Sequence, residues 1–208
     1  MCGRYATTTT DAGVLRERFA VQQGLETFVP SRNVKPTQEA AVVTMQDGQR
    51  NLAAMRWGLI PPWARDATIA SKTFNARAET VADKPSFRQA FRRRRCLVPA
   101  TGFYEWQQEG RRKVPYQFVV GAGELFAFAG LHETWQSPSG EQVQTYTIIT
   151  TDPNDLVAPI HNRMPVILPR DVEAVWLDPQ FEDMDYLQSL LVPYPSHAMQ
   201  MRPVDGTL

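Results

Sequence analysis

This sequence predicts an α+β chain built on one mostly antiparallel sheet, bent or barrel-like, with a few short peripheral helices. Three observations carry that reading. Short strand-like runs recur with turn residues between them. Most successive runs lie too close together for a helical crossover, so their pairing should be antiparallel. Amphipathic stretches are few and short. With 208 residues, no repeat and no long linker, the chain reads as a single domain, 1–208.

The elements follow in order. Residues 10–20 place Leu15 and Phe19 four apart behind Thr10 or Asp11, which is a short capped helix. Runs at 40–45 and 51–57 flank Asp47-Gly48, a hairpin signal. Pro85 opens a helix through Phe87 and Phe91. Strands are predicted at 96–100, 102–106, 115–120, 125–131 and 144–150. After Thr151-Asp152-Pro153 the pattern predicts a short helix ending near His161. A strand at 164–168, surface helices at 170–177 and 182–191, and a strand at 198–204 complete the set.

Lys and Arg total 22, as do Asp and Glu. The whole molecule is therefore not a basic nucleic-acid binder, and any such affinity must come from a local patch. Arg92–Arg95 are consecutive, and Arg111, Arg112 and Lys113 follow. These runs fit phosphate contact or a solvated helix end. The two cysteines, Cys2 and Cys96, form no disulfide framework and fit a reducing compartment. The first residues lack the apolar core of a signal peptide, and no run approaches the ~18 apolar residues of a membrane span. A cytoplasmic protein without membrane association is expected. Cys2, Cys96 and the histidines lack zinc-type spacing, so no metal or other cofactor is expected.

Cys2 is the first residue with unusual chemistry. Removal of Met1 would leave an α-amine and a thiol on one residue. The amine forms an imine with an aldehyde, and the thiol closes a five-membered thiazolidine. A cysteine inside the chain cannot do this, because its nitrogen is an amide. An α-amine also keeps a useful neutral fraction at pH 7, its pKa being roughly 7.7–8.0. Taken alone, Cys2 equally fits an ordinary cysteine that follows Met. Glu105 lies among Phe103, Tyr104 and Trp106. Desolvation there would raise its pKa and suit general acid–base work, although a salt-bridged strand residue fits too. His161 and Arg163 sit just before an apolar strand, where catalytic residues often lie but structural histidines are common. NARAET (75–80) alternates Asn75, Arg77 and Glu79.

MCGRYA, WGLIPPWA, FNARAET, RCLVPATGFYEW and IHNRMPVIL occur in this order, and together they resemble the SOS response-associated peptidase (SRAP) family, the abasic-site processing proteins. The resemblance implies that Cys2 crosslinks to an abasic sugar. It implies that Asn75 holds the Cys2 end, that Glu105 is the acid–base carboxylate, and that His161 assists proton transfer as the sugar opens. Arg4 and Arg77 resemble phosphate or sugar contacts, with Arg163 as a further DNA contact. Trp63 and Pro36 resemble residues that stack or wedge near the lesion. Thr101 stands where the family commonly has Asp, which bears on local geometry.

The implied partner is single-stranded DNA containing abasic sites, met by a monomer in the cytoplasm and on the nucleoid when bound. The implied context is the SOS response to DNA damage. In the expected reaction the Cys2 amine forms an imine with C1′ and the Cys2 thiolate closes the ring. Lyase or autopeptidase activity is implied as well. Three rivals remain at this point: an N-terminal-cysteine amidohydrolase or thiol peptidase, a non-catalytic single-strand-binding module, and a redox sensor built on Cys2 and Cys96.

Overall fold

A computed structural model describes residues 2–204. Its strands are β1 (Tyr5–Thr7), β2 (Ser31–Val34), β3 (Glu39–Gln46), β4 (Gln49–Trp57), β5 (Asn75–Arg77), β6 (Arg95–Ala100), β7 (Gly102–Glu109), β8 (Arg112–Val120), β9 (Phe126–Gln136), β10 (Gln142–Thr151), β11 (Met164–Pro165), β12 (Ile167–Leu168) and β13 (Met199–Pro203). The helices are α1 (Ala12–Phe19), α2 (Arg88–Arg93), α3 (Glu173–Leu177) and α4 (Met184–Ser189), with 3₁₀ turns between some elements.

β13-β8-β7-β1-β2 form one antiparallel sheet. In the other, β4-β3-β6-β9-β10 closes on itself, because β10 pairs with β9 on one edge and with β4 on the other. The expected α+β, barrel-like, mostly antiparallel architecture is what the chain adopts. The exceptions are the parallel pairings of β10 with β4 and β5.

The pleat sorts the apolar residues onto two faces. Val42, Met55, Val98, Phe128 and Ile148 join Tyr5, Phe103 and Phe118 of the first sheet in one cluster. Val43, Leu52, Leu97, Ala129 and Ile149 join Leu15, Phe19, Phe91, Trp176 and Leu187 of the helices in another. This is the period-two alternation of a sheet covered on both sides. The hairpin between β3 and β4 turns on Asp47 (φ 50°) and Gly48 (φ 75°), and two positive φ angles match the twist of the paired strands.

Several elements differ from expectation. Residues 155–160 are turns and not a helix. The Asn154 side chain accepts from the Leu156 and Val157 amides as an N-cap would, but the main-chain bonds beyond it, from Ala158 to Asn154 and from Ile160 and His161 to Val157, close isolated turns. The run 164–168 is split: β11 pairs with β10, β12 pairs with β9, and Val166 bonds to both Ile149 and Ala129 between them. α3 is not a surface helix, since Glu173, Trp176 and Leu177 are buried. β1, β2 and β5 are too short and too polar to carry a strand pattern, and sequence reasoning passed over them.

The Arg92–Arg95 run is not a basic patch. Arg93 and Arg94 pair with Glu182 and Glu133, and only Arg92 is left exposed without a partner among the described residues. Arg95 is 2% exposed. Its guanidinium donates to the carbonyls of Phe91 and Arg92 at the end of α2, and to those of Trp176 and Asp178 at the end of α3. A planar fork with five donors suits four carbonyls. Replacing Arg95 with Met strands those acceptors in an apolar setting. The expected loss is about 2–4 kcal/mol of unfolding free energy in urea denaturation, and Arg95→Lys should recover only part of it.

Candidate active site

The apolar cluster beneath β7 draws three of the expected residues together. Cys2 is fully buried in it, alongside Phe103, Val157 and Met164, which lie close in sequence to Glu105 and His161. The Cys2 thiol makes one weak contact, 3.9 Å to the Arg4 carbonyl. Burial pushes this thiol well above its usual range, and the neighbouring Glu105 carboxylate pushes the same way. Cys2 is a neutral thiol near pH 7, because the low dielectric around it disfavours its anion. Met1, whose removal would turn the Cys2 nitrogen into the expected α-amine, lies outside the described residues.

Glu105 is 3% exposed. It stands on β7 opposite Tyr116 of β8, where little water reaches it. Desolvation raises its carboxyl to about 8, so it carries its proton at neutral pH. Its Oε1 is buried without a hydrogen-bond partner. Oε2 lies 4.0 Å from Nε2 of His161, longer than a direct hydrogen bond. The Arg163 amide donates to Nδ1 of His161 at 3.0 Å. Nδ1 also lies 3.1 Å from the Arg163 carbonyl, to which it can donate, so the Arg163 backbone holds this side of the ring and leaves Nε2 facing Glu105. Partial burial lowers the His161 pKa. Near pH 7 this is a pair of neutral proton carriers and not an ion pair.

A groove of about 430 Å³ runs over this pair, lined by Gly3, Arg4, Glu105, Trp106, Lys113 and His161. Arg4 sits over the Trp106 ring at 5.7 Å from its centroid and makes no ion pair among the described residues. The groove thus joins an aromatic face, two cations and a buried acid–base pair. Among the described residues no group of His, Cys, Asp and Glu is arranged to hold a metal ion, and no helix is long and apolar enough to cross a membrane.

The remaining expected residues lie around this centre. Asn75 is 9% exposed on β5. Its Nδ2 donates to the Phe74 and Ile148 carbonyls, and its Oδ1 is buried and unpartnered. No hydrogen bond joins it to Cys2 among the described residues. Arg77 is exposed at the end of the same strand, opposite Thr150. Arg163 donates both Nη groups to Glu79, and also reaches Asp152 and the Thr150 carbonyl. Its charge is met by carboxylates of its own chain, while the bridge clamps the His161 loop to the segment after β5. Trp63 is 59% exposed and Pro36 begins the turn after β2. Neither lines the groove. Thr101, in place of the family's Asp, accepts from the Thr8 amide and bonds to the Ala6 carbonyl, closing the β1–β7 corner without a charge.

Sequence reasoning did not assign Trp106 or Lys113 to the site. Trp106 was visible as the residue after Glu105, and Lys113 as the end of a basic run. Only the β7–β8 register brings Lys113 beside Arg4.

The sequence matches the family described as SOS response associated peptidase (SRAP) over residues 1–208. It is 45% identical to the abasic site processing protein YoqW of Bacillus subtilis, over 99% of this chain and 93% of that one. It is 32% identical to the abasic site processing protein HMCES of Xenopus tropicalis, over 98% and 73%. A crystal structure of a protein from Bacteroides thetaiotaomicron aligns with a TM-score of 0.88 at 31% identity, covering 98% of this chain and 92% of that one. With its family signature running the full length and its fold shared, the chain belongs to the SRAP family.

Proposed function

We propose that this chain processes abasic sites in single-stranded DNA, and that mature Cys2 captures the sugar aldehyde as a stable thiazolidine. One observation carries the reading. A neutral thiol lies beside a protonated carboxyl and a neutral imidazole, under a groove flanked by Arg4, Trp106 and Lys113. The relatives' names supply the substrate class. Arginine and lysine meet phosphates and an indole face stacks on bases of any identity, so backbone-led recognition of a single strand follows.

A protonated carboxyl suits each proton transfer. An abasic deoxyribose is mostly a closed ring. Glu105 donates its O–H to the ring oxygen while its carbonyl oxygen accepts the proton of the C1′ hydroxyl, so the ring opens without net charge. His161 orients the same hydroxyl through Nε2, the ring nitrogen that faces Glu105. The Cys2 amine adds to C1′ as one N–H proton passes to the aldehyde oxygen; Glu105 then gives its proton to the departing hydroxyl and takes the second N–H proton as the imine forms and water leaves. The S–H then adds across the C=N bond: sulfur bonds C1′ and the thiol proton ends on nitrogen. The sum is aldehyde plus aminothiol giving thiazolidine plus water, and no cofactor takes part.

The rivals fare less well on the same observations. Amide attack by a thiol peptidase needs a thiolate, and this pocket disfavours one. A redox sensor needs an accessible, low-pKa thiol, whereas Cys2 and Cys96 are both fully buried and raised.

A denaturing gel of three proteins tests the chemistry on abasic single-stranded DNA. Processed wild type should hold the DNA through heating. Cys2→Ser should give at most a borohydride-trappable imine or strand cleavage. A form with a blocked N-terminus, verified by intact mass, should give no adduct, and a heat-stable adduct from it would remove the thiazolidine.

Glu105→Gln tests the proton relay through pH. The wild-type rate should rise as the amine loses its proton near pH 7.7–8.0 and fall above about 8 as Glu105 loses its own. Glu105→Gln should be slower by ~10²–10⁴-fold and lack the falling limb. Stability follows the same group. Its folded pKa lies above the ordinary 4.5, so the unfolded chain releases this proton first. Its stabilising effect is complete below pH 4.5 and is lost as pH rises towards 8. Urea midpoints of wild type should therefore fall relative to Glu105→Gln across that window, and parallel curves would contradict the burial argument.

A further inference from the structure

We propose that Asn33 is a positioning residue, which holds the Arg4 guanidinium over the Trp106 ring so that a DNA phosphate meets an arginine already oriented. The inference rests on the nucleic-acid reading above and adds a residue to it. Arg4 Nη1 donates to Asn33 Oδ1 at 3.0 Å, and its Cζ stands 5.7 Å from the Trp106 centroid. Of the five N–H donors of the fork, those on Nε and Nη2 have no partner among the described residues and remain for a phosphate.

The backbone explains how Asn33 reaches Arg4. Tyr5 lies opposite Val34 and Thr7 opposite Ser31, so three steps along β2 face two along β1. The extra residue is a bulge at positions 32–33, a device that re-aims a side chain beside a site. The bulge is pinned on both sides. The Asn33 amide donates to Ser31 Oγ at 3.2 Å, and Tyr104 Oη donates to the Arg32 carbonyl at 3.0 Å. Gln117 Nε2 in turn donates to Tyr104 Oη at 3.3 Å. The acceptor for Arg4 is thereby anchored to β7, the strand that carries Glu105 and Trp106.

The residue type matters. A long arginine loses rotamer freedom when it settles on a ligand, and a contact that orders it beforehand removes that loss from the binding step. Most orienting contacts to arginine come from carboxylates, which also neutralise it. Asn33 supplies the same acceptor oxygen with no charge. Arg4 is oriented and remains fully cationic.

The test compares Asn33→Ala, Asn33→Asp and Arg4→Ala. The pose in the free protein is read from the ring-current shift of the Arg4 Cδ protons, and binding from titration with an intact single-stranded oligonucleotide at several salt concentrations. Asn33→Ala should lose the ring-current shift and weaken binding roughly 2- to 12-fold. The salt slope and the crosslinking rate at saturating abasic DNA should stay unchanged. Asn33→Asp should keep the shift yet weaken binding, with a salt slope shallower by up to ~0.7, because the pose survives and the charge is cancelled. Arg4→Ala should lose ~0.7 of slope, and Asn33→Ala should add nothing in that background. An unchanged Arg4 shift in Asn33→Ala, a lost shift without any change in affinity, or a full additional loss on top of Arg4→Ala would each overturn the assignment. Absence of salt-dependent binding by wild type would instead remove the nucleic-acid reading, while the Arg4 shift would still report whether Asn33 sets the pose.

Discussion

The constraint on which the site depends is that β10 outruns its neighbours. Its pairing with β9 ends at Ile148–Gly130, and its pairing with β4 ends at Tyr146–Trp57. The strand continues, buried, to Thr151. Backbone groups buried in that stretch must find partners. β5 covers one edge, pairing Asn75 to Arg77 with Ile148 to Thr150, and β11 covers the other at Thr150 and Thr151. These two patches carry Asn75 and Arg77 on one side and follow directly from the His161 loop on the other. The divergence of β9 from β10 needs Gly130, since a Cβ there would lie 2.8 Å from Cys96 Sγ and 3.1 Å from the Thr147 carbonyl. The demand for hydrogen bonds along one strand thus assembles segments 75–77 and 161–165 beside each other. The Arg163–Glu79 bridge then locks them.

Charge is distributed by depth. Deep in the site Glu105 and His161 are neutral, because burial penalises the charged form of each. At the mouth, Arg4 and Lys113 line the open groove, the side on which the proposed DNA would arrive. Buried charges elsewhere are matched: Arg18 meets Glu173 with two hydrogen bonds, joining α1 to α3. Such pairing ties helices together without offering a cation to a ligand. A count of basic residues therefore says little about where DNA would lie, and the unpaired cations say more.

That contrast explains how much was legible in the sequence. The hairpin at Asp47-Gly48 and the long alternating strands could be read because their patterns are local. The barrel was foreseen as a bent or barrel-like sheet without the pairings that close it, since the β10–β4 and β10–β5 pairings join segments some 70 to 90 positions apart. Arg92–Arg95 misled because four like charges in a row look solvated, yet their directions diverge around a helix end. The site blocks were legible as motifs. Asn33 was not, because its importance lies in a bulge that no composition reveals. Glu105 stood between, its aromatic neighbours hinting at burial while the partners that complete its surroundings arrive from β8 and the 161 loop.

The protonation states also bear on why an aminothiol suits this pocket better than an ordinary nucleophilic cysteine. A thiolate needs a cation or a base to stabilise it, and Cys2 lies instead beside a carboxyl group inside an apolar cluster. That environment would disable amide hydrolysis, where the sulfur attacks first and must be anionic. For thiazolidine formation the order is reversed. The amine attacks first, and the resulting imine is electrophilic enough to accept sulfur as its proton transfers to nitrogen. Each intermediate can be made without separating charge in a low-dielectric site, given an acid that returns its proton at every step. In the proposed sequence Glu105, with a carboxyl raised to about 8, is protonated when that role begins and is regenerated when it ends. The burial that weakens Cys2 as a thiolate is the same burial that keeps Glu105 an acid, so one apolar cluster sets both halves of the proposed chemistry.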